Sequence, residues 1–237
     1  MYKNAKIICF DADDTLWINE PIFRESEKRL YEVVKEYISE SELNKELFQI
    51  ETQNIELYGY GAKAFILSLI ETALKVSNSK VTANQIQQIL YIGRLHLNSP
   101  VTLIDGVEKA LSSLQSNYKL ILATKGDLLE QERKLNKSGL VKYFHHIEIM
   151  TEKNSENYIK LLKNLNIEAC EFVMIGNSLK SDILPVIEIG GMAIYVPYEI
   201  TWKHEEVNEK IDTTLFTQVE KISDILPYFQ LTMSNYQ

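Results

Sequence analysis

Ile7-Ile8-Cys9-Phe10 runs apolar without a polar residue between, then stops abruptly at Asp11-Ala12-Asp13-Asp14. A strand with one wet face alternates apolar and polar side chains. One without alternation must be covered on both faces, as the strands of a parallel sheet are. The run therefore demands helices above and below it, and the second half of the chain supplies them. A helix over about Val107–Leu114 precedes an apolar strand, Leu120–Thr124, and a helix over Leu128–Lys137 follows. Then come a strand at His146–Met150, a helix over about Glu156–Asn164, a strand at Phe172–Ile175, a helix from about Asp182 and a fifth strand at Ala193–Val196. This alternation gives right-handed crossovers and a doubly wound, Rossmann-like α/β fold with a parallel sheet.

From about Pro21 to Leu97 the periodicity is helical instead. Leu30, Val33, Val34, Tyr37 and Ile38 make one apolar stripe; Ile66, Leu69, Ile70, Ala73 and Leu74 make another. Leu43, Leu47 and Ile50 mark a weaker helix that ends near Tyr58-Gly59-Tyr60-Gly61. Thr82-Ala83-Asn84-Gln85 is a capping-box pattern opening a fourth, with Ile86, Ile89 and Leu90 on its apolar face. The expected organisation is an α/β core of residues 1–18 and 99–237, interrupted by a helical bundle over 19–98.

Composition narrows the function. Lys plus Arg number 25 against 33 Asp plus Glu, a net charge of −8 without any basic run, so a nucleic-acid polymer is repelled. No apolar run approaches the roughly 18 residues that a membrane span needs, and no signal-peptide core opens the chain. The two cysteines, Cys9 and Cys170, each stand among apolar neighbours and offer no disulfide framework. A soluble cytoplasmic protein is the expectation, as monomer or homodimer.

In open α/β sheets the ligand site lies past the carboxyl ends of the strands. There the chain carries Asp11, Asp13 and Thr15; Thr124, Lys125 and Asp127; Thr151-Glu152-Lys153; and Gly176-Asn177-Ser178-Leu179-Lys180-Ser181-Asp182. Carboxylates, hydroxyls, a lysine and an amide at one sheet edge suit a hard cation and a phosphoryl group. Asp11 and Asp13, two apart at a strand end, leave an extended backbone on the same side. One can act as nucleophile while the other donates and later accepts a proton, with Thr15 holding the acid in place.

Read in order, these positions resemble the haloacid dehalogenase (HAD) superfamily in its Mg²⁺-dependent phosphohydrolase branch. Ile7 to Thr15 matches an apolar strand followed by Asp-x-Asp-x-Thr, Leu120 to Thr124 a strand ending in Ser or Thr, and Gly176 to Asp182 the pattern Gly-Asp/Asn-Ser-x-x-x-Asp. Lys153 has the place of the family's lone lysine, and the helical insertion is similar to its common mobile cap. The resemblance implies that Asp11 attacks phosphorus to give an aspartyl-phosphate and that Asp13 serves as acid, then base. It implies that Thr124 and Lys153, with Lys125 as a further candidate, hold phosphate oxygens, and that Mg²⁺ is bound by Asp11, the Asp13 carbonyl, Asn177 and Asp182. Asn177 stands where many members carry Asp, which removes one negative charge from the metal's surroundings. Asp13 separates the chain from the dehalogenases, which lack this acid.

The implied substrate is a small phosphorylated metabolite of the nucleoside monophosphate or sugar phosphate class. Tyr60, Gly61 and Lys63, between the second and third inserted helices, are the candidates for choosing it. A catalytically idle HAD-fold binding or scaffold protein is the alternative. A phospho-accepting signalling module fits less well, because Glu148-Ile149-Met150-Thr151 lacks the Asp such modules carry after the third strand. Asp127 is expected to cap the helix after it, Cys9 and Trp202 to pack in the core, and His145-His146 to lie at a rim.

Overall fold

Every residue of β1 (Ile7–Phe10) is buried, and its side chains part alternately into two clusters. Ile8 and Phe10 join Leu120, Leu122, Val173 and Ile175 on one face. Ile7 and Cys9 join Ile121, Ala123, Phe172 and Met174 on the other. Two apolar layers explain the absence of alternation in the sequence. In the computed structural model, which describes residues 2–229, β1 is a central strand of one parallel sheet. The others are β2 (Lys119–Lys125), β3 (His146–Met150), β4 (Phe172–Gly176), β5 (Met192–Tyr195) and β6 (Thr217–Gln218). Their order is β3-β2-β1-β4-β5-β6, with Ile7 level with Lys119 on one side and Phe172 on the other. This is the doubly wound α/β fold expected from the alternation, extended by the two-residue β6.

The chain divides into two compact units. The first comprises the described parts of Met1–Ile18, Val101–Thr124 and Lys134–Gln237, and holds the sheet. Helices α5 (Val107–Leu114) and α7 (Ser155–Leu165) serve opposite faces: Val107, Ala110 and Leu111 enter the Ile8–Phe10 cluster, and Tyr158, Leu161 and Leu162 enter the Ile7–Cys9 cluster.

The second unit comprises Asn19–Pro100 and Lys125–Arg133. It contains α1 (Glu20–Val34), α2 (Glu40–Tyr58), α3 (Ala62–Val76) and α4 (Ala83–Asn98). Leu30, Val34, Leu43, Leu47, Phe65, Leu69, Ala73, Ile89 and Ile92 form its core. The Thr82–Gln85 capping box is made in both directions. Leu74 and Leu90, at the margins of the stripes read from sequence, are 40% and 43% exposed, because a helix buries a band narrower than its full apolar arc. The helix α6 (Leu128–Ser138) has residues in both units. No helix among the described residues is long and apolar enough to cross a membrane. Cys9 is buried as expected of a packing residue, whereas Cys170 is exposed: it sits in the short turn Ala169–Glu171, outside the strand it precedes.

Ile8→Ala removes a side chain with no exposed surface from the middle of the sheet. Stability should fall by about 2–5 kcal/mol, read as a lower urea midpoint at unchanged slope.

Candidate active site

Asp11 continues the β1–β4 ladder by one step, its N–H donating to the Ile175 carbonyl at 2.9 Å. The backbone then turns. The Ala12 carbonyl accepts from the N–H groups of Thr15, Leu16 and Trp17 at 3.2, 2.8 and 3.3 Å, and Asp14 has φ of +60°. This corrects the extended backbone expected through Asp13: a converging carbonyl and a left-handed residue cannot belong to a straight strand. The two carboxylates accordingly take different partners.

Asp11 is gripped at both oxygens. Thr15 Oγ1 donates to Oδ2 at 2.9 Å, and Lys153 Nζ donates to Oδ1 at 2.5 Å. The same ammonium donates to Asp182 Oδ1 at 2.7 Å, and all three charged residues are buried. Lys153 is set just past β3, ahead of Asn154, whose side chain caps α7 by accepting from the Asn157 N–H at 2.9 Å. Burial opposes the Lys153 charge, but Asp11 and Asp182 outweigh it and push its pKa well above the ordinary lysine value. Burial raises the Asp182 carboxyl to about 7, against the pull of Lys153 and with repulsion from Asp11 added. Two carboxylates facing one ammonium keep that ammonium protonated.

Asp13 is held elsewhere: Lys134 Nζ reaches both its oxygens, at 2.7 and 2.8 Å, and Trp17 Nε1 donates to Oδ1 at 2.6 Å. Neither Lys134 nor Trp17 was singled out by motif. Trp17 is four residues past Asp13, a spacing that the turn makes meaningful; Lys134 lies 121 positions away and carries no local signal.

β4 needs its last residue to be glycine. A Cβ on Gly176 would fall 2.2 Å from Asp182 Oδ2, so only a bare Cα lets that carboxylate lie against the strand end. Asp182 Oδ2 accepts from the Ser178 N–H at 3.0 Å. Between them the chain makes a wide turn, Leu179–Ile183, capped by Ser178 Oγ accepting from the Ser181 N–H at 3.0 Å, before α8 (Leu184–Glu188). This turn occupies the place where sequence suggested a helix from Asp182.

Asn177 sits beside Asp11. The surrounding hydrogen-bond network assigns its amide nitrogen inward, donating to the Asp13 carbonyl at 3.1 Å and to Thr15 Oγ1 and Asp11 Oδ2 at 3.2 Å each. The place that a protein N–H₂ fills is therefore ringed by oxygen acceptors. Among the described residues no three His, Cys, Asp or Glu side chains converge as a metal site. The donor set here depends instead on two carboxylates, Asp11 and Asp182, the Asp13 backbone carbonyl and an amide, Asn177, that can present its oxygen by turning over. Hard oxygen ligands of this kind fit Mg²⁺, which needs few protein ligands and keeps several waters.

Thr124 is buried at the end of β2. Lys125, the next residue, belongs to the helical unit. There its ammonium lies 4.3 Å from the centre of the Tyr60 ring, within cation–π range. Lys63 pairs with Asp127 at 2.8 Å, and the Ala62 N–H donates to Glu130 at 2.6 Å. Gly61 has φ of +110°, and a Cβ there would lie 2.8 Å from the Asp127 nitrogen. Two segments noted separately in the sequence thus meet within one unit. Asp127 does cap α6, accepting from the Glu130 N–H at 3.1 Å. Trp202 is half-buried against His204, 4.9 Å between ring centres, rather than among the core residues, because it begins a surface turn past β5. His146 is half-exposed and bonds Glu148 at 2.8 Å.

Residues 5–190 match the family model of haloacid dehalogenase-like hydrolases. A haloacid dehalogenase-like family hydrolase from Xanthomonas campestris is 37% identical, with a TM-score of 0.83 over 92% of each chain. YfnB of Bacillus subtilis, described as a HAD-hydrolase and bound to magnesium, is 19% identical with a TM-score of 0.68 over 97% of this chain and all of that one. A 2-haloacid dehalogenase from Pseudomonas syringae is 18% identical, TM-score 0.61, over 94% of this chain and 97% of that one. The last two share the fold. No curated protein sequence matches.

Lys153→Met leaves the Asp11 and Asp182 carboxylates buried together without their shared ammonium. Stability at neutral pH should fall by about 3–5 kcal/mol. With the Asp182 carboxyl already raised in the folded state, the folded variant binds a proton more readily than its unfolded chain. Losing Lys153 removes the pull that lowers this carboxyl, so the folded variant keeps its proton to higher pH than the wild type, and the deficit should grow as the pH rises above about 7. Urea unfolding across that range checks the sign.

Proposed function

This chain belongs to the haloacid dehalogenase-like hydrolases, and from that membership and the grip on Asp11 we propose that it is a Mg²⁺-dependent phosphatase working through an aspartyl-phosphate. The observation that carries the reading is a carboxylate held at both oxygens, by Thr15 and Lys153, with a second carboxylate, Asp13, two residues on. A nucleophile fixed in one rotamer attacks without first reorganising.

In the first step an Asp11 oxygen attacks phosphorus while the bond from phosphorus to the alcohol oxygen breaks. Asp13 supplies the proton that the departing alkoxide takes up. In the second, Asp13 removes a proton from water, the water oxygen attacks phosphorus, and the bond to Asp11 breaks to release inorganic phosphate. Thr124 and Lys153 are assigned to the phosphate oxygens, with Lys125 as a further candidate, placing donors where negative charge concentrates. Asp11, the Asp13 carbonyl, Asn177 and Asp182 would hold Mg²⁺, whose charge offsets repulsion between a phosphate dianion and these carboxylates. Asn177 in place of an acid implies weaker metal affinity than an all-carboxylate set would give.

The proposed substrate is a small phosphorylated metabolite, a nucleoside monophosphate or sugar phosphate, with the helical insertion of residues 19–98 acting as a cap on the core of residues 1–18 and 99–237. Tyr60, Gly61 and Lys63 are assigned to reading the part remote from phosphorus. The aromatic ring offers a stacking face, and Lys63 an anion partner exchangeable with Asp127.

Release of phosphate from a panel of about a hundred phosphorylated metabolites tests the reading. Activity should appear with Mg²⁺ and vanish with EDTA. Asp11→Asn should be inactive though folded. Asp13→Asn should lose alkyl phosphates most and recover part of the first step with p-nitrophenyl phosphate, whose leaving group needs no proton. Trapped phosphate should then sit on Asp11; phosphate on another side chain, or full turnover without metal, refutes the proposal.

A further inference from the structure

We propose that Glu205 is a positioning residue for the oxygen donors of the loop after β4, and that through this it sets how tightly the chain binds Mg²⁺; the proposal rests on the hydrolase reading above. Glu205 ends a short helical turn, Lys203–Glu205, beyond β5. Its Oε2 accepts from Ser178 Oγ and from Ser181 Oγ, both at 2.5 Å. Ser178 is next to Asn177 and Ser181 is next to Asp182, so one carboxylate oxygen holds the immediate neighbours of both candidate ligands.

The serines are tied into the turn as well. The Ser178 N–H donates to Asp182 Oδ2, and the Ser181 N–H donates to Ser178 Oγ. Because the hydroxyl proton of Ser178 is committed to Glu205, its lone pairs face the Ser181 N–H. Glu205 thereby selects the hydroxyl orientation that caps the turn. Hydrogen bonds to an ionised acceptor are shorter and roughly twice as strong as neutral ones, which suits an anchor. Lys180 Nζ adds a second tie to the same segment, donating to the His204 carbonyl at 2.8 Å. A third tie comes from Tyr158 Oη, which donates to the Ser181 carbonyl at 3.1 Å. The loop is tied both to a buried tyrosine and to a carboxylate from the chain beyond β5.

Alignment of these donors matters more here than in an all-acid set. Asn177 binds a cation by a dipole, which falls off faster than a charge when the ligand is misdirected, and its amide must present oxygen rather than nitrogen.

Calorimetric titration of MgCl₂ into the 237-residue chain tests this without turnover. Glu205→Ala should weaken Mg²⁺ binding by ~10-fold or more, the loss typical when a group that orients a metal ligand is removed. Glu205→Gln, which keeps an acceptor oxygen, should stay within about threefold of the wild type. Thermal midpoints should show all variants folded, and activity should return toward the wild-type kcat as Mg²⁺ is raised. A folded Glu205→Ala protein with wild-type Mg²⁺ affinity overturns the proposal. Should that variant fail to fold, the Ser178→Ala/Ser181→Ala double variant carries the same test and the same thresholds. A wild-type chain that binds no Mg²⁺ defeats the hydrolase reading itself, an outcome separate from equal affinities in wild type and variant.

Discussion

One buried ammonium organises the site. Lys153 Nζ stands between Asp11 Oδ1 and Asp182 Oδ1 and pairs with both. Asp11 follows β1 and Asp182 follows β4, which are neighbouring strands in register, so the sheet itself brings the two acids together. Buried like charges cost several kcal/mol unless compensated. The compensation comes from β3, which is separated from β1 by β2. The lysine therefore couples the exits of three strands electrostatically, where the sheet's hydrogen bonds couple only adjacent ones.

Around that trio the loop after β4 shows why a motif takes its particular form. Gly176 is bare because Asp182 folds back onto it, and Ser178 both receives and gives hydrogen bonds within one turn. Asn177 places an N–H₂ where oxygen acceptors converge. In an acid at that position the same oxygens would repel one another. The amide instead satisfies those acceptors with its own N–H groups.

Much of this was legible in the chain. The unalternating run at Ile7–Phe10 reported a strand covered on both faces, and the two clusters built from its odd and even residues give the reason. The positions past each strand pointed to Asp11, Lys153 and Asp182, which do meet. What sequence hid is equally physical. The turn after Asp11 depends on one carbonyl collecting the N–H groups of Thr15, Leu16 and Trp17, and strand periodicity cannot show where a backbone stops being straight. Lys134 and Glu205 reach their partners across 121 positions and across 27 and 24, at spacings that no local pattern encodes. β6 has two residues, too few to show any period.

The topology also imposes an order of events on the growing chain. β1 is made before its ladder partners, residues 119–122 and 172–175, so this strand waits while the whole insertion and most of the core are synthesised. Closing such distant pairs before any reward is gained makes folding slow. Through that interval Ile7-Ile8-Cys9-Phe10 is an apolar segment without its ladder partners, the kind of segment on which incomplete chains aggregate. The acidic cluster directly behind it, Asp11-Ala12-Asp13-Asp14, puts charge against one end of that run. Acidic residues of the candidate site thus also guard its strand before that site has formed.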